Sequence, residues 1–332
     1  MKISIHKFIL PSIPFTALLI GGCFALWALS YITVDLFEIF PQKTPDFSTI
    51  DKLIAANLLI SDLLSVIITI LNAFILIQLS TKFSLIRVRT FLQGLIFILL
   101  ISVWSTANIS VAYHLALTLI LISFFRFLSM YRDTQAVEHA FVGSLFIGLS
   151  SFLFVPAILL LPAFWIGFVL FQSFSLRTFS ASLIGAIVPW IIYFAVRYYF
   201  HPDVSWLNDI FSKFDTTFML GKPPAHKLIY ISLLFIFLLI GFTGFFNNLH
   251  SDSIQTRRRL KLFVIVFFAS SILAVLFSGF SQAFFPLIAL CYAMIISHPL
   301  TLQKSNFNSI AFILFCVINI SYVMLNYFIS IR

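Results

Sequence analysis

The sequence predicts an all-α transmembrane helical bundle of about eleven spans with a cytoplasmic N-terminus, and three observations predict it. The first is composition: 61% of the 332 residues are hydrophobic and only 9% are charged, against about 45–50% and about 25% in soluble domains. A water-soluble globule of this composition would lack the polar surface to cover itself, a need that lipid removes. The second is arrangement. The apolar residues form continuous runs of about 20, long enough to cross a hydrocarbon core of about 30 Å, without the alternation of barrel strands. The third is charge placement: the bases fall between the runs and favour one side.

The first run lies near 13–34. Lys2 and Lys7 precede it as in a signal peptide, and Ile20-Gly21-Gly22-Cys23 looks like a lipoprotein cleavage box. The run continues through Phe24-Ala25-Leu26-Trp27, and Phe15 to Val34 suffices to span a bilayer, so an uncleaved first span is expected. A long external loop follows at 35–52, rich in acids: Asp35, Glu38, Asp46 and Asp51. The second span, near 53–79, carries Asn57, Asp62 and Asn72.

The apolar stretch 90–129 is too long for one crossing and divides at Ser105-Thr106-Ala107-Asn108 into spans near 90–105 and 111–129. Val142 to Phe171 as a single helix would measure roughly 45 Å. Pro156 and Pro162 interrupt it, and proline kinks or ends a helix, so a tight hairpin near 140–155 and 157–173 is expected. A span near 180–200 ends at Arg197. The second long external loop, 201–226, holds Asp203, Asp209 and Asp215. In it Trp206, Ile210, Phe211 and Phe214 have the spacing of a helix lying on the outer interface. Spans near 227–248, 262–278, 281–298 and 309–328 complete the chain, with Gly279 dividing the pair around it. No repeat is evident, and 1–332 is expected to be a single integral membrane domain.

Of 20 Lys and Arg, this topology puts thirteen inside: Lys2, Lys7, Lys82, Arg87, Arg89, Arg126, Arg132, Arg177, Arg257, Arg258, Arg259, Lys261 and Lys304. The other seven lie outside. Net charge is +9, but bases so distributed serve topology and contact with membrane lipids rather than nucleic acid. With the hairpin closed up into one span the bias would weaken, so the hairpin rests on length more than on charge. Cys23, Cys291 and Cys316 lie in apolar runs without metal-ligand spacing. There is no dinucleotide fingerprint, no HExxH and no Walker loop; Gly221-Lys222-Pro223-Pro224 lacks the required glycines and hydroxyl.

The candidate site residues are few. Asp35 and Glu38 share a face if their turn is helical, where a carboxylate serves as general base or holds a divalent metal, the one candidate cofactor, against a lipid-linked phosphate. Alternatively they are solvated loop acids. Asp62 is the acid well inside a span, a costly position that marks an ion or proton site or a structural polar contact. Arg197 either snorkels between belt tyrosines or grips phosphate, with Lys222, His226 and Lys227 as further donors. His114, toward the outer end of its span, is a proton carrier or a satisfied structural residue. Arg257-Arg258-Arg259-Leu260-Lys261 is a topology anchor at anionic headgroups.

One stretch carries a resemblance. Glu138-His139-Ala140-Phe141-Val142-Gly143-Ser144-Leu145-Phe146-Ile147-Gly148-Leu149-Ser150-Ser151 leads into Phe154-Val155-Pro156-Ala157. Phe164-Trp165-Ile166-Gly167, Leu176-Arg177 and Gly185-Ala186-Ile187-Val188-Pro189 follow. This order resembles an uncharacterised family of inner-membrane proteins of Bacteroidota, over roughly residues 120–200. More distantly it is similar to multi-span glycosyltransferases that use polyprenyl-phosphate sugars, and to polysaccharide polymerases. That likeness implies a catalytic carboxylate in the first external loop, where Asp35 and Glu38 fall, although Leu36 and Phe37 separate what is an acidic doublet in those families. The leading expectation is a glycosyltransferase-like or polymerase-like protein of cell-envelope glycan assembly in the bacterial inner membrane, acting on a polyprenyl-phosphate-linked sugar. Asp35 or Glu38 would then be catalytic, and Arg197 with Lys222 would bind phosphate. A transporter or flippase with Asp62 and His114 as coupling site is the alternative, and a non-catalytic assembly subunit the third.

Overall fold

A computed structural model of the chain describes residues 21–22, 58–103, 111–200, 225–249, 252–302 and 306–331. Among them are ten α-helices. In chain order these are α1 (Leu58–Lys82), α2 (Leu92–Val103), α3 (Val111–Ser129), α4 (Val137–Leu153) and α5 (Leu161–Leu170). There follow α6 (Leu176–Phe200), α7 (Ala225–Leu249), α8 (Ile254–Leu276), α9 (Ser281–Leu302) and α10 (Asn306–Ile331). No strand occurs among the described residues. Six helices (α1, α3, α6, α7, α8 and α9) are long and apolar enough to cross a membrane. The expected first span, apart from helical Gly21 and Gly22, and the loop residues 35–52 and 201–224 lie outside the described residues.

The exterior of the bundle is apolar as well as its core. On α1 Leu63, Ile67, Leu71 and Phe74, spaced three and four apart on one stripe, are exposed, while Ser65, Thr69 and Asn72 are buried. The same pattern runs over α6, where Ile184, Ile187, Ile191 and Val196 are exposed and Thr178 and Ser182 are buried. A surface of this kind is solvated by lipid tails, not water, and the polar groups turn inward because only the protein offers them hydrogen-bond partners.

α9 is the most enclosed of the six long helices and packs against α2, α7 and α8. Aromatic rings lock the centre: Phe124 of α3 stacks on Phe263 of α8 at 4.8 Å and meets Phe164 of α5 edge-on at 5.1 Å. Such pairs add to burial through their ring geometry.

The 142–171 stretch turns back on itself. α4 ends at Leu153, Phe154 is extended, and a 3-10 turn over Val155–Leu160 with Pro156 in its first turn leads into α5. The Arg132 backbone N–H donates to the Phe171 carbonyl at 2.9 Å, so the start of α4 and the end of α5 lie together. α4 packs most closely on α6. A Cβ added at Gly148 would meet the Ala186 carbonyl oxygen, and one at Gly185 the Phe141 carbonyl oxygen, well inside contact distance. Only glycine allows this approach of two backbones, the use of small residues expected between membrane helices. Trp190 of α6 donates its indole N–H to Ser151 of α4 at 2.7 Å and Trp165 of α5 donates to Ser182 of α6 at 2.8 Å, closing the unit.

One end of the bundle is basic. Lys82, Arg87, Arg89, Arg126, Arg132, Arg177, Arg257, Arg258, Arg259 and Lys261 occupy the helix ends and connections there. The connections at this end are tied by hydrogen bonds from Thr256 to the Ser84 carbonyl and from Ser175 to the Thr134 carbonyl. Two helices finish here in left-handed caps, with Ser84 at φ 50° and Gln172 at φ 58°. In each the next residue's N–H reaches back five residues, Leu85 to Ser80 and Ser173 to Phe168, both at 3.0 Å.

Candidate functional site

Two polar assemblies lie inside this frame. The first is a seam between α1 and α3, where His114 is 1% exposed and Asn72 is fully buried. Thr69 Oγ1 donates to the Ser65 carbonyl at 2.7 Å and lies 3.2 Å from His114 Nδ1. A threonine hydroxyl has one proton, so toward the histidine Thr69 accepts and Nδ1–H donates. Asn72 Nδ2 donates to the His114 carbonyl at 3.1 Å, and Thr118 donates to Asn72 Oδ1 at 2.8 Å. Asp62 lies on the same helix, two turns before Thr69; its side chain is outside the described residues.

The second assembly binds the basic end together. Asp252, in the connection between α7 and α8, is buried. Its Oδ1 accepts from Arg87 Nε at 2.8 Å, and its Oδ2 lies 2.8 Å from His298 Nε2, on α9. A carboxylate only accepts, so His298 donates from Nε2; its Nδ1 is buried with no hydrogen-bond partner. Arg259, also buried, donates to the Phe83 carbonyl and to the Leu128 carbonyl, each at 3.2 Å, and its guanidinium lies 4.8 Å from the Phe83 ring centre. The carbonyls of Phe83 and Leu128, at the ends of α1 and α3, are thus satisfied by one planar cation.

Of the residues singled out in the sequence, His114 is brought into the seam and Arg197 stands exposed near the end of α6 among Tyr198 and Tyr199. Arg197 makes no hydrogen bond or ion pair to a described residue. Lys227 is buried in the first turns of α7. Asp35, Glu38 and Lys222 lie outside the described residues. Among the described residues no three His, Cys, Asp or Glu side chains gather where they could hold a metal ion. The Arg257–Lys261 run is not a loop ahead of the span: α8 begins at Ile254, capped by Ser253, whose hydroxyl accepts from the Thr256 N–H at 3.2 Å. Sequence reasoning missed Asp252 and His298; a serine or threonine cap preceding the basic run was the available signal for the earlier helix start, and Asp252 lies next to that cap.

Apolar exterior, buried polar seams and six helices of membrane-crossing length define the class: an all-α integral membrane bundle. Within that class the chain belongs to the family described as a family of unknown function (DUF6427), whose model matches residues 47–331. No curated protein matches the chain, and no solved structure does.

Proposed function

We propose that the chain is a multi-pass protein of the bacterial inner membrane that moves a polyprenyl-phosphate-linked precursor of cell-envelope glycan, with the α1–α3 seam as its coupling site. The observation that carries this is the burial of His114 between two long apolar helices. An ionisable side chain at such a place is expensive and is a functional site by default. Asp62, on the same helix as Thr69, supplies a second proton-binding group. The basic end faces the cytoplasm by the positive-inside rule.

The test is a proteoliposome assay with a fluorescent polyprenyl-phosphate sugar, read by quencher access from outside. Wild type exchanges the label between leaflets faster under a proton gradient. Asp62→Asn and His114→Ala lose the acceleration while the protein still folds. If both variants move the lipid as wild type does, the coupling role is gone.

A second reading has one observation in its favour: Arg197, at the end of the bundle away from the basic cluster, has a guanidinium engaged by no described residue. In this reading the protein is a transferase at the outer leaflet. Asp35 or Glu38 is then the base or the ligand of a divalent metal, and Arg197 with Lys222 holds phosphate. Alanine at Asp35 or Glu38 would then abolish glycan transfer with His114→Ala still active. An assembly subunit would tolerate every one of these substitutions.

A further inference from the structure

Beside the Arg87–Asp252–His298 assembly lies a cavity of about 130 Å³, formed by the last turn of α1, the 83–91 connection and the start of α2. Thr81, Ser84, Arg87, Arg89, Thr90 and Gln93 contribute its polar lining. We propose that it is a binding site for a phosphate group, either free phosphate or the headgroup of an anionic lipid. This does not depend on the function proposed for the seam.

Four features point to an anion. First, Arg87 and Arg89 line the cavity, and among the described residues no Asp or Glu does. Second, the cationic donors are not used up. Arg87 is fixed through Nε by the buried Asp252, and its side chain is still 45% exposed, so its terminal Nη groups are left for a ligand. Arg89 makes no hydrogen bond or ion pair to a described residue. A guanidinium presents donors in a fork that matches phosphate oxygens.

Third, Gln93 is buried, and its Oε1 accepts from the Thr90 hydroxyl at 3.1 Å. Its amide NH₂ is the donor that remains. Fourth, Thr90 and Gln93 stand at the start of α2, which begins at Leu92; the first N–H groups of a helix lack a partner within it and favour negative charge. The space suffices: a cavity needs about 10–15 Å³ on this measure to hold one water, so one several times larger admits a tetrahedral phosphate. The cavity lies at the end where the bases gather, which is where phospholipid headgroups meet a bundle of this kind.

The experiment uses the full chain in a neutral detergent and native mass spectrometry with dioleoyl phosphatidylglycerol against dioleoyl phosphatidylcholine. Wild type should retain one phosphatidylglycerol in preference to phosphatidylcholine. Arg89→Gln, at an exposed and unengaged side chain, should weaken that retention about tenfold, the worth of one charge-assisted contact, and Arg89→Glu should weaken it further. Arg177→Gln, an exposed base on α6 outside the cavity, should leave it unchanged. Competition by millimolar inorganic phosphate would identify a soluble ligand; retention that phosphate does not disturb would identify the lipid. Both outcomes support the site. Equal weakening by Arg89→Gln and Arg177→Gln would mean a diffuse basic surface, and preference for neither phosphatidylglycerol nor phosphate would mean no site; either overturns the proposal.

Discussion

Asp252 and His298, 46 positions apart, meet at 2.8 Å in the interior of the basic end, with Arg87 on the other carboxylate oxygen. The arrangement joins the α1–α2 connection, the α7–α8 connection and the last turns of α9 through one side chain. Asp252→Ala would leave one buried imidazole and one half-exposed guanidinium without their acceptor. Breaking a buried pair costs about 3–5 kcal/mol, and the hydration of Arg87 places the loss at the lower end. Asp252→Asn, which keeps one acceptor, should cost less. Unfolding monitored by tryptophan fluorescence in detergent measures both; equal stability of Asp252→Ala and wild type would show that the cluster holds nothing together.

The α4–α6 seam makes a steric prediction. Gly148→Val must push its new methyl groups into the Ala186 carbonyl, and overpacking of this sort costs about 1–3 kcal/mol or more. Ser151→Ala, which removes the acceptor of the Trp190 indole and the hydroxyl that donates to the Gly148 carbonyl but forces nothing into the seam, should cost less than Gly148→Val, about 0.5–1.5 kcal/mol. The order of the two thermal midpoints is the readout.

Gln172 holds a left-handed backbone conformation at the end of α5. That conformation costs an L-residue roughly 1–2 kcal/mol, and glycine avoids it. Gln172→Gly should therefore raise the thermal midpoint, a gain unusual for glycine and found only where φ is positive.

Side-specific labelling checks the layout of the ends. Cysteine introduced at Arg132 or Arg177 should react with a membrane-impermeant maleimide from one face of the membrane, and cysteine at Tyr199 from the opposite face. Cys291, fully buried, should stay unlabelled until the protein unfolds. Labelling of positions 132 and 199 from the same side would contradict the hairpin of α4 and α5.

Hydropathy made the helices legible because the solvent is lipid: a run must be apolar over its whole length, and its interruptions, at Phe154-Val155-Pro156 and at Ser278-Gly279-Phe280, coincide with the 3-10 turns observed. Where hydropathy and helix part company, the sequence misleads. α8 starts eight residues before the apolar run near 262, since a capped helix extends into the polar zone while hydropathy marks only the lipid boundary. Asn72 was visible as part of a polar stripe with Asp62, and His114 as a lone ionisable group, but their meeting across α1 and α3 depends on the rotation of each helix, which an all-apolar exterior does not encode. Asp252 was unreadable for a different reason. An acid in a connection looks solvated until the fold covers it, and its partners come from two distant parts of the chain, the α1–α2 connection and α9.

The folding back at Phe154 has a consequence for the surrounding bilayer. α4, with 17 residues, is roughly 26 Å long, and the 3-10 turn with α5 is roughly 27 Å by the rise of each helix type. α1, α6 and α7, with 25 residues each, reach roughly 37 Å. A hydrocarbon layer of about 30 Å therefore finds this protein too short on one flank and too long on the others. Lipid beside the short flank must thin while the long helices tilt, at fractions of a kcal/mol per Å of mismatch. The bundle carries its own thickness gradient, and a dimple is expected in the membrane beside α5, whose Ile166 and Val169 face outward, because two prolines and an extended phenylalanine make the chain turn round.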